Sequence, residues 1–347
     1  MTAHATEHPD IAGIDVESVS RWLSRQDCGL APPYRFELIS GGRSNLTYRV
    51  VDAAGTEAAL RRPPLGHVLA TAHDMAREHR ILTAVWGTEV PVARPLALCT
   101  DVDVNGAPFY VMSFARGTVC HDVEVARTLT PAQRGTAGHS LVEVLAALHA
   151  LDPDEVGLGD LGRRTGYVER QLKRWTAQWE SSKTREVPLV DAVRDRLAAL
   201  APPEAEATIA HGDYRIGNCA LGADGSIVAV FDWELCTLGD PRADIGYLCS
   251  WWPTPAPPGE EAICDLEGFP DRAELAASYA ERTGRGVETI DYFTAFSHWR
   301  LACIGQGVYA RFLHGAMGDQ DDVDLDQMRD GVERRARAAA DLLGLDA

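Results

Sequence analysis

"IAHGDYRIGNCALGADGSIVAVFDWE", residues 209–234, sets polar residues around what reads as a tight β-hairpin. Ala223-Asp224-Gly225-Ser226 is a turn signal, with the strand-like stretches "NCAL" before it and "IVAVFD" after it. Folding the chain about Asp224 and Gly225 opposes positions whose numbers sum to about 450, which sets Asn218 beside Asp232. Opposed residues lie about 5 Å apart at Cβ. An amide oxygen and a carboxylate at that separation can share a divalent cation. Mg²⁺ takes one or two protein carboxylates and completes its shell with water and phosphate oxygens. Asp213 stands five residues before Asn218, in the loop entering the hairpin. Each residue has an ordinary reading too: Asn before a strand forms turns, and Asp after one caps. His211-x-Asp213 also fits half of a metal-hydrolase site.

The rest of the chain narrows the choice. Its 347 residues suffice for two lobes around a cleft, and 46% hydrophobic with 24% charged residues is ordinary globular usage. No apolar run reaches the ~20 residues of a membrane span. "MTAHATEHPD" lacks the basic-then-apolar pattern of a secretion signal, so a cytoplasmic location is expected. The eight cysteines are scattered without a Cys-x-x-Cys pair and read as buried thiols. Net charge is −18, of which residues 1–115 carry −3 and the remainder −15. Such a body argues against nucleic-acid and anionic-membrane binding.

Hydrophobic periodicity divides the chain. "IDVESVSRWLSRQDC" has helical spacing, and "YRFELISGGRSNLTYRVVD" gives two strands broken at Gly41-Gly42. "EAALRRPP" is a third strand, "AHDMAREHRILTAVW" a helix, and "PLALCTDVDVNGAPFYVMSFARG" a hairpin turning at Asn105-Gly106. Helices follow in "PAQRGTAGHSLVEVLAALHAL", "GYVERQLKRWTAQWES" and "LVDAVRDRLAAL", then the 209–234 hairpin, then helices at 271–283, 290–313 and 327–344. A β-rich N-terminal part, 1–115, thus precedes a mostly helical part, 116–347.

His-x-Asp-x-x-x-x-Asn, here His211, Asp213 and Asn218, is the catalytic-loop spacing of kinase-fold phosphotransferases, with Asp232 where those enzymes keep a metal-binding Asp. "HGDYRIGN" and "FDWELCTLGDPRADIGYL" resemble the two central motifs of the aminoglycoside phosphotransferase and choline kinase family. Together with "GGRSNLTYRV", "ALRRPP" and "GYVERQLKRW", the likeness is strongest to the kinase-like domain fused ahead of some acyl-CoA dehydrogenases, and it covers residues 30–315. It implies an α+β, bilobal protein-kinase-like fold, with a small N-terminal nucleotide-binding lobe and a larger catalytic and acceptor-binding lobe. It implies an enzyme that moves the γ-phosphoryl group of ATP, with Mg²⁺, onto a small-molecule hydroxyl. Asp213 would orient the hydroxyl and accept its proton, and Asn218 and Asp232 would hold Mg²⁺. Gly42, Ser44 and Asn45 would lie over the phosphates. Arg61, where lysine is usual, would hold phosphate with Glu78 as its helix partner. Phe109–Phe114, including Met112, would meet adenine. His211 would shape the loop, and Asp244 would tie its backbone.

The acceptor is open on the residues alone. Asp232 is followed at once by "WELCTLGDPRADIGYL", which leaves no room for the activation segment of a protein kinase, so the acceptor reads as small. The acidic C-terminal part suits a polycationic aminoglycoside or another amino alcohol. Arg163, Arg164, Arg170, Lys173 and Arg174 form a local basic cluster, and on one helix Arg163, Arg170 and Arg174 share a face. That stripe suits an anion, and with the resemblance it favours a hydroxyacyl-CoA-like acceptor. Rivals from other classes are a catalytically silent nucleotide-binding module, for which the Arg61 exchange speaks, and a hydrolase built on His211, Asp213 and Asp232.

Overall fold

A computed structural model describes residues 11–40, 45–65, 74–252, 261–315 and 323–345. The chain divides into two compact units, Met1–Arg116 and Gly117–Ala347.

The first unit is an antiparallel sheet of β1 (Arg35–Ser40), β2 (Leu46–Val51), β3 (Glu57–Arg62), β4 (Pro95–Cys99) and β5 (Phe109–Ser113), in the order β1-β2-β3-β5-β4. With it go α1 (Val16–Leu23), α2 (Met75–Val85) and the single turn α3 (Val102–Asn105). β2 alternates buried and half-buried residues, and Tyr48, Val50, Leu60, Phe109 and Val111 join Val19 and Leu23 of α1 in one apolar core. α2 starts at Asp74, whose carboxylate accepts the Arg77 N–H, and buries Met75, Ile81, Leu82 and Val85. The expected tight turn at Asn105-Gly106 is a helical turn instead. Asp101 caps α3, and Gly106 ends it at φ 70°. The reason lies in Asn105, whose side chain accepts from the Asp15 N–H (2.9 Å) and donates to Gly13 O (3.2 Å), so it locks α3 to the start of α1. Arg62 joins this knot through Gly13 O and Asn105 O. It is buried, and β3 is central in the sheet, so neither Arg61 nor Arg62 is an exposed edge charge.

The second unit carries α4 (Val123–Arg127), α5 (Pro131–Ala150), α6 (Tyr167–Ser182), α7 (Pro188–Ala199), α8 (Pro241–Cys249), α9 (Arg272–Thr283), α10 (Ile290–Leu313) and α11 (Leu325–Leu342). Short strands lie between α7 and α8: β6 (Thr208–Ala210) pairs with β9 (Thr237–Gly239), and β7 (Cys219–Leu221) with β8 (Ile227–Val230). α10 is the hub, packing on α6, α8 and α11. Its Phe293, Phe296 and Trp299 meet Trp175 and Trp179 of α6 and the alanine face of α11, Ala336, Ala339 and Ala340. α5 opens with a capping box of Thr130 and Gln133 and carries the β7–β8 hairpin: Gln133 Nε2 donates to Ala223 O (2.8 Å) and Ser140 Oγ accepts from Ile227 N (3.0 Å). At the hairpin tip Gly225 has φ 92° and lies against the Gln133 carbonyl, where no side chain fits.

α8 crosses α10 closely because Gly246 faces Phe293. A Cβ there would come 2.5 Å from Phe293 Cβ and 2.6 Å from its carbonyl carbon, atoms that cannot step aside. Gly246→Ala should therefore cost about 1–3 kcal/mol in urea denaturation. Gly331→Ala, on α11 with nothing nearer than Arg334 Nη2 at 3.6 Å, should be neutral or stabilise by about 0.5 kcal/mol. Equal effects at the two sites would contradict the close crossing.

Candidate functional site

The loop between β6 and β7 is built around one buried carboxylate. Asp244, in the first turn of α8 and 1% exposed, accepts the His211 N–H (2.6 Å) and the Gly212 N–H (2.8 Å). It also bonds His149 Nε2 of α5 (3.3 Å), whose Nδ1 meets the Tyr279 hydroxyl (2.7 Å). Burial alone would raise the Asp244 pKa. The hydrogen bonds from His149 and from the Gly212 N–H outweigh it and hold the carboxyl below its ordinary value. Gly212 has φ 82°, and a Cβ would sit 2.7 Å from Leu235 O, so only glycine makes this bend.

His211 is fully buried with both ring nitrogens engaged by backbone: Nδ1 accepts the Asp213 N–H (3.2 Å) and Nε2 donates to Phe231 O (2.9 Å). An imidazole used this way has no lone pair left for a metal or a substrate proton. It shapes the loop, as expected, and cannot serve the hydrolase arrangement.

Asp213 is thereby presented with its side chain 19% exposed. Its Oδ1 accepts the Tyr247 hydroxyl, and its Oδ2 accepts Asn218 Nδ2 at 2.7 Å. Asn218 Nδ2 also reaches Asp213 O (2.8 Å), so the amide nitrogen is committed to the loop and Oδ1 is the atom turned to other work. The hairpin register runs one residue off the expected one. Cys219 pairs with Val230 and Ala220 with Ala229, and the Phe231 N–H bonds Asn218 O (2.8 Å). Asn218 therefore opposes Phe231, and Asp232 lies one position beyond: the turn centres on Asp224, with the Gly222 N–H on Ser226 O, and a bulge between the Leu221–Ile227 and Ala220–Ala229 pairs adds a single residue on β8. Asp232 is the one non-glycine with positive φ (66°) among the described residues. This uncommon geometry for a carboxylate recurs at functional sites. One amide oxygen and one carboxylate suit a cation that completes its shell with phosphate and water. No group of three His, Cys, Asp or Glu that could form an all-protein cage occurs among the described residues.

In the first unit Glu78 of α2 is 2% exposed, and Arg61 Nε lies 3.0 Å from its Oε2. Asn45 Nδ2 donates to Oε1 (2.9 Å) and the Tyr110 hydroxyl to Oε2 (3.0 Å). The expected Arg61–Glu78 pair is thus joined by Asn45, at the start of β2. Gly42 and Ser44 lie outside the described residues. Met112 is buried inside β5, which has β3 and β4 on its two sides. The Ser113 N–H goes to Arg94 O and the Phe114 N–H to Glu57 O, so the sheet uses this backbone through Phe114.

The basic stripe is only partly formed. Gly166 begins α6 in the left-handed conformation, so Arg163 precedes the helix and does not share its face. Arg170 Nη2 instead donates to Arg163 O (2.9 Å), and Arg164 pairs with Asp154 (2.7 Å). Arg170 and Arg174 remain one turn apart on α6, with Arg174 against the Trp175 ring (5.0 Å). Two residues absent from the sequence reading reach the loop: Tyr247 on Asp213, and Arg300 of α10, whose Nη2 donates to Gly212 O (2.6 Å). No local pattern marks either.

The profile of the phosphotransferase enzyme family matches residues 35–285. Rat acyl-CoA dehydrogenase family member 11 is 32% identical over 320 residues, 88% of this chain and 41% of the relative, so the chain spans about two-fifths of that protein's length. A crystal structure of a putative aminoglycoside phosphotransferase from Ralstonia eutropha superposes with TM-score 0.80 at 34% identity, covering 94% of this chain and 98% of the other. An aminoglycoside phosphotransferase in ternary complex with AMP-PNP and hygromycin B superposes with TM-score 0.61 at 16% identity, covering 93% and 99%, and shows the shared fold. The family match runs from β1 through α9 and includes Asp213, Asn218, Asp232 and Asp244: the chain belongs to the phosphotransferase enzyme family.

Proposed function

We propose that the chain transfers the γ-phosphoryl group of ATP to the hydroxyl of a small anionic molecule, with a hydroxyacyl-CoA-like acceptor as first choice. The observation that carries this is Asp213: a half-shielded carboxylate, fixed by Asn218, that already accepts an O–H hydrogen bond from Tyr247. A carboxylate so held can orient an acceptor hydroxyl and take its proton. Asn218 Oδ1 and Asp232 would hold Mg²⁺, which supplies charge neutralisation to the phosphate oxygens. The unit Met1–Arg116 would take the nucleotide, with Arg61 on phosphate, Asn45 and Glu78 bracing it, and Gly42 and Ser44 in the covering loop. Adenine would meet the backbone just past Phe114 rather than Met112. Arg170 and Arg174 would face the acceptor. The need for ATP fits a cytoplasmic setting.

The test is a screen with ATP–Mg²⁺ across hydroxyacyl-CoAs, aminoglycosides and small amino alcohols, reading ADP release and acceptor phosphate. Turnover of the first class alone supports the reading. Turnover of the cationic classes alone transfers it to an amino-alcohol phosphotransferase, for which the −15 charge of residues 116–347 speaks. Thermal stabilisation by ATP–Mg²⁺ with no turnover of any kind marks a silent nucleotide-binding module. Arg61→Gln should raise the KM for ATP about tenfold while leaving the acceptor KM alone, since a charged hydrogen bond to phosphate is worth about 1.5–3 kcal/mol. An unchanged KM for ATP would remove Arg61 from the nucleotide.

A further inference from the structure

Buried arginines in proteins normally lie on carboxylates. Arg300, which is buried, and Arg335, which is half-buried, do not follow that rule, and a third arginine, Arg215, stands near them. Arg300 is 5% exposed and lies between two ring faces, Tyr247 at 5.0 Å and Trp175 at 5.3 Å. Its one hydrogen bond goes to Gly212 O, and its buried Nε has no partner among the described residues. Arg335 of α11 stacks on Trp251 (4.6 Å) and donates to Ser250 O (2.8 Å) and to His298 Nδ1 (3.0 Å). Arg215, on the catalytic loop, covers Trp251 as well (5.3 Å), and its nearest carboxylate is Asp213, 3.9 Å from Nε. Among the described residues neither Arg300 nor Arg335 has a carboxylate within 4 Å. Tyr247 and Trp251 pack edge to face, 6.2 Å between centroids, so the three guanidinium groups line one continuous aromatic ridge that ends at the Asp213 carboxylate.

A chain of net charge −18 has carboxylates to spare, yet among the described residues it sets none within 4 Å of Arg300 or Arg335, and Arg215 has only Asp213, at 3.9 Å. We propose that Arg215, Arg300 and Arg335, set on Tyr247 and Trp251, form an oxyanion subsite that receives a carboxylate or phosphate group next to the acceptor hydroxyl. The subsite adjoins α6, since Arg174 and Arg300 share the Trp175 ring, but it is built from other residues than the Arg163–Arg174 run, and its use in acceptor selection rests on the phosphotransferase reading. Ring faces hold each guanidinium while leaving N–H edges for an anion, the division of labour in which arginine surpasses lysine. Burial, then the charges of Arg335 and Arg272, push His298 down to about 3. His298 is therefore neutral at physiological pH and accepts from Arg335, leaving the charge on the arginine. An acceptor bearing an anion gains at this ridge, and a polycation is repelled by it.

The test uses the full chain and needs no turnover. Malonate and inorganic phosphate are titrated against thermal unfolding, with sodium chloride at equal ionic strength as control, each with and without saturating ADP–Mg²⁺. Wild type should show a saturable rise in melting temperature. Arg335→Gln and Arg215→Gln, on separate elements and each checked for native circular dichroism, should raise the half-saturating anion concentration about tenfold or more. A response that survives ADP–Mg²⁺ identifies the acceptor's anionic group as the occupant, and one that ADP–Mg²⁺ abolishes identifies the nucleotide's phosphates. A response equal in the variants and wild type, or no greater than that of sodium chloride, overturns the subsite. Anion binding in a protein that never transfers phosphate would defeat the functional reading alone. Transfer without arginine-dependent anion binding would defeat the subsite alone.

Discussion

Asp213→Ala should lower kcat for phosphoryl transfer by about 10³-fold or more while ATP–Mg²⁺ binds as in wild type. The size follows from removing a positioned proton acceptor, a contribution of about 10²–10⁴, together with the alignment it gives the hydroxyl. The sparing of nucleotide binding follows from the loop's construction. Asn218 Nδ2 holds the backbone Asp213 O (2.8 Å) as well as the carboxylate, and His211 holds the Asp213 N–H, so the alanine chain keeps its path and Asn218 keeps its place. Two partners lose a bond. Asn218 retains its second acceptor, and the buried Tyr247 hydroxyl loses its own at a cost of about 1 kcal/mol in stability. Calorimetric titration with a non-hydrolysable ATP analogue, beside single-turnover transfer, separates the two effects. Transfer that persists in Asp213→Ala would take the proton acceptor away from this residue. Transfer and nucleotide binding lost together would assign Asp213 to the nucleotide.

The parts of this site that were legible in the sequence are those whose geometry is local. His211, Gly212, Asp213 and Asn218 fall within eight residues, and their bonds to each other are set by that spacing, so the pattern carried the arrangement. The β7–β8 hairpin was readable from Asp224-Gly225, but its register was not, because the centre of the turn and the bulge between Ala220 and Leu221 together decide whether Asn218 meets Asp232 or Phe231, and neither is marked in the sequence. Charge counted along the chain misled at Arg163, since a left-handed Gly166 starts the helix three residues later than the run of charges implies. The larger omission is Tyr247, Arg300 and Arg335. They come from three helices, 34 to 122 positions after Asp213, and meet only because α8, α10 and α11 pack together. Neither periodicity nor spacing encodes a contact made that way. The same holds for Glu78: its pairing with Arg61 follows a known kinase pattern, whereas Asn45 and Tyr110 on the same carboxylate are products of sheet order.

Asp244→Asn should destabilise the chain by about 3 kcal/mol at neutral pH and reduce transfer with it, although it alters a single atom of a residue that touches no substrate. The carboxylate accepts from three donors: His211 N and His149 Nε2 on Oδ2, and Gly212 N on Oδ1. Asparagine offers one acceptor oxygen. Either orientation of the amide turns its NH₂ toward at least one backbone N–H, leaving buried donors face to face, and breaking a buried charge arrangement on one side costs about 3–5 kcal/mol. The loop then loses the two bonds that set the Gly212 bend, so Asp213 should shift from the position proposed for orienting the acceptor hydroxyl. The effect has a pH signature. Because the Asp244 carboxyl is held below its ordinary value of 3.8 in the folded chain, its contribution is complete above that value and drains away as pH falls through the lower folded value. The wild-type advantage in urea denaturation should stay level from neutral to mildly acid pH and narrow only below pH about 4, where protonation gives the wild type the same missing acceptor as the variant. Asp213→Ala, by contrast, should lose kcat at nearly full stability. An Asp244→Asn protein that unfolds with the wild type at neutral pH would mean that the three donors are satisfied elsewhere and that the catalytic loop owes its shape to another anchor.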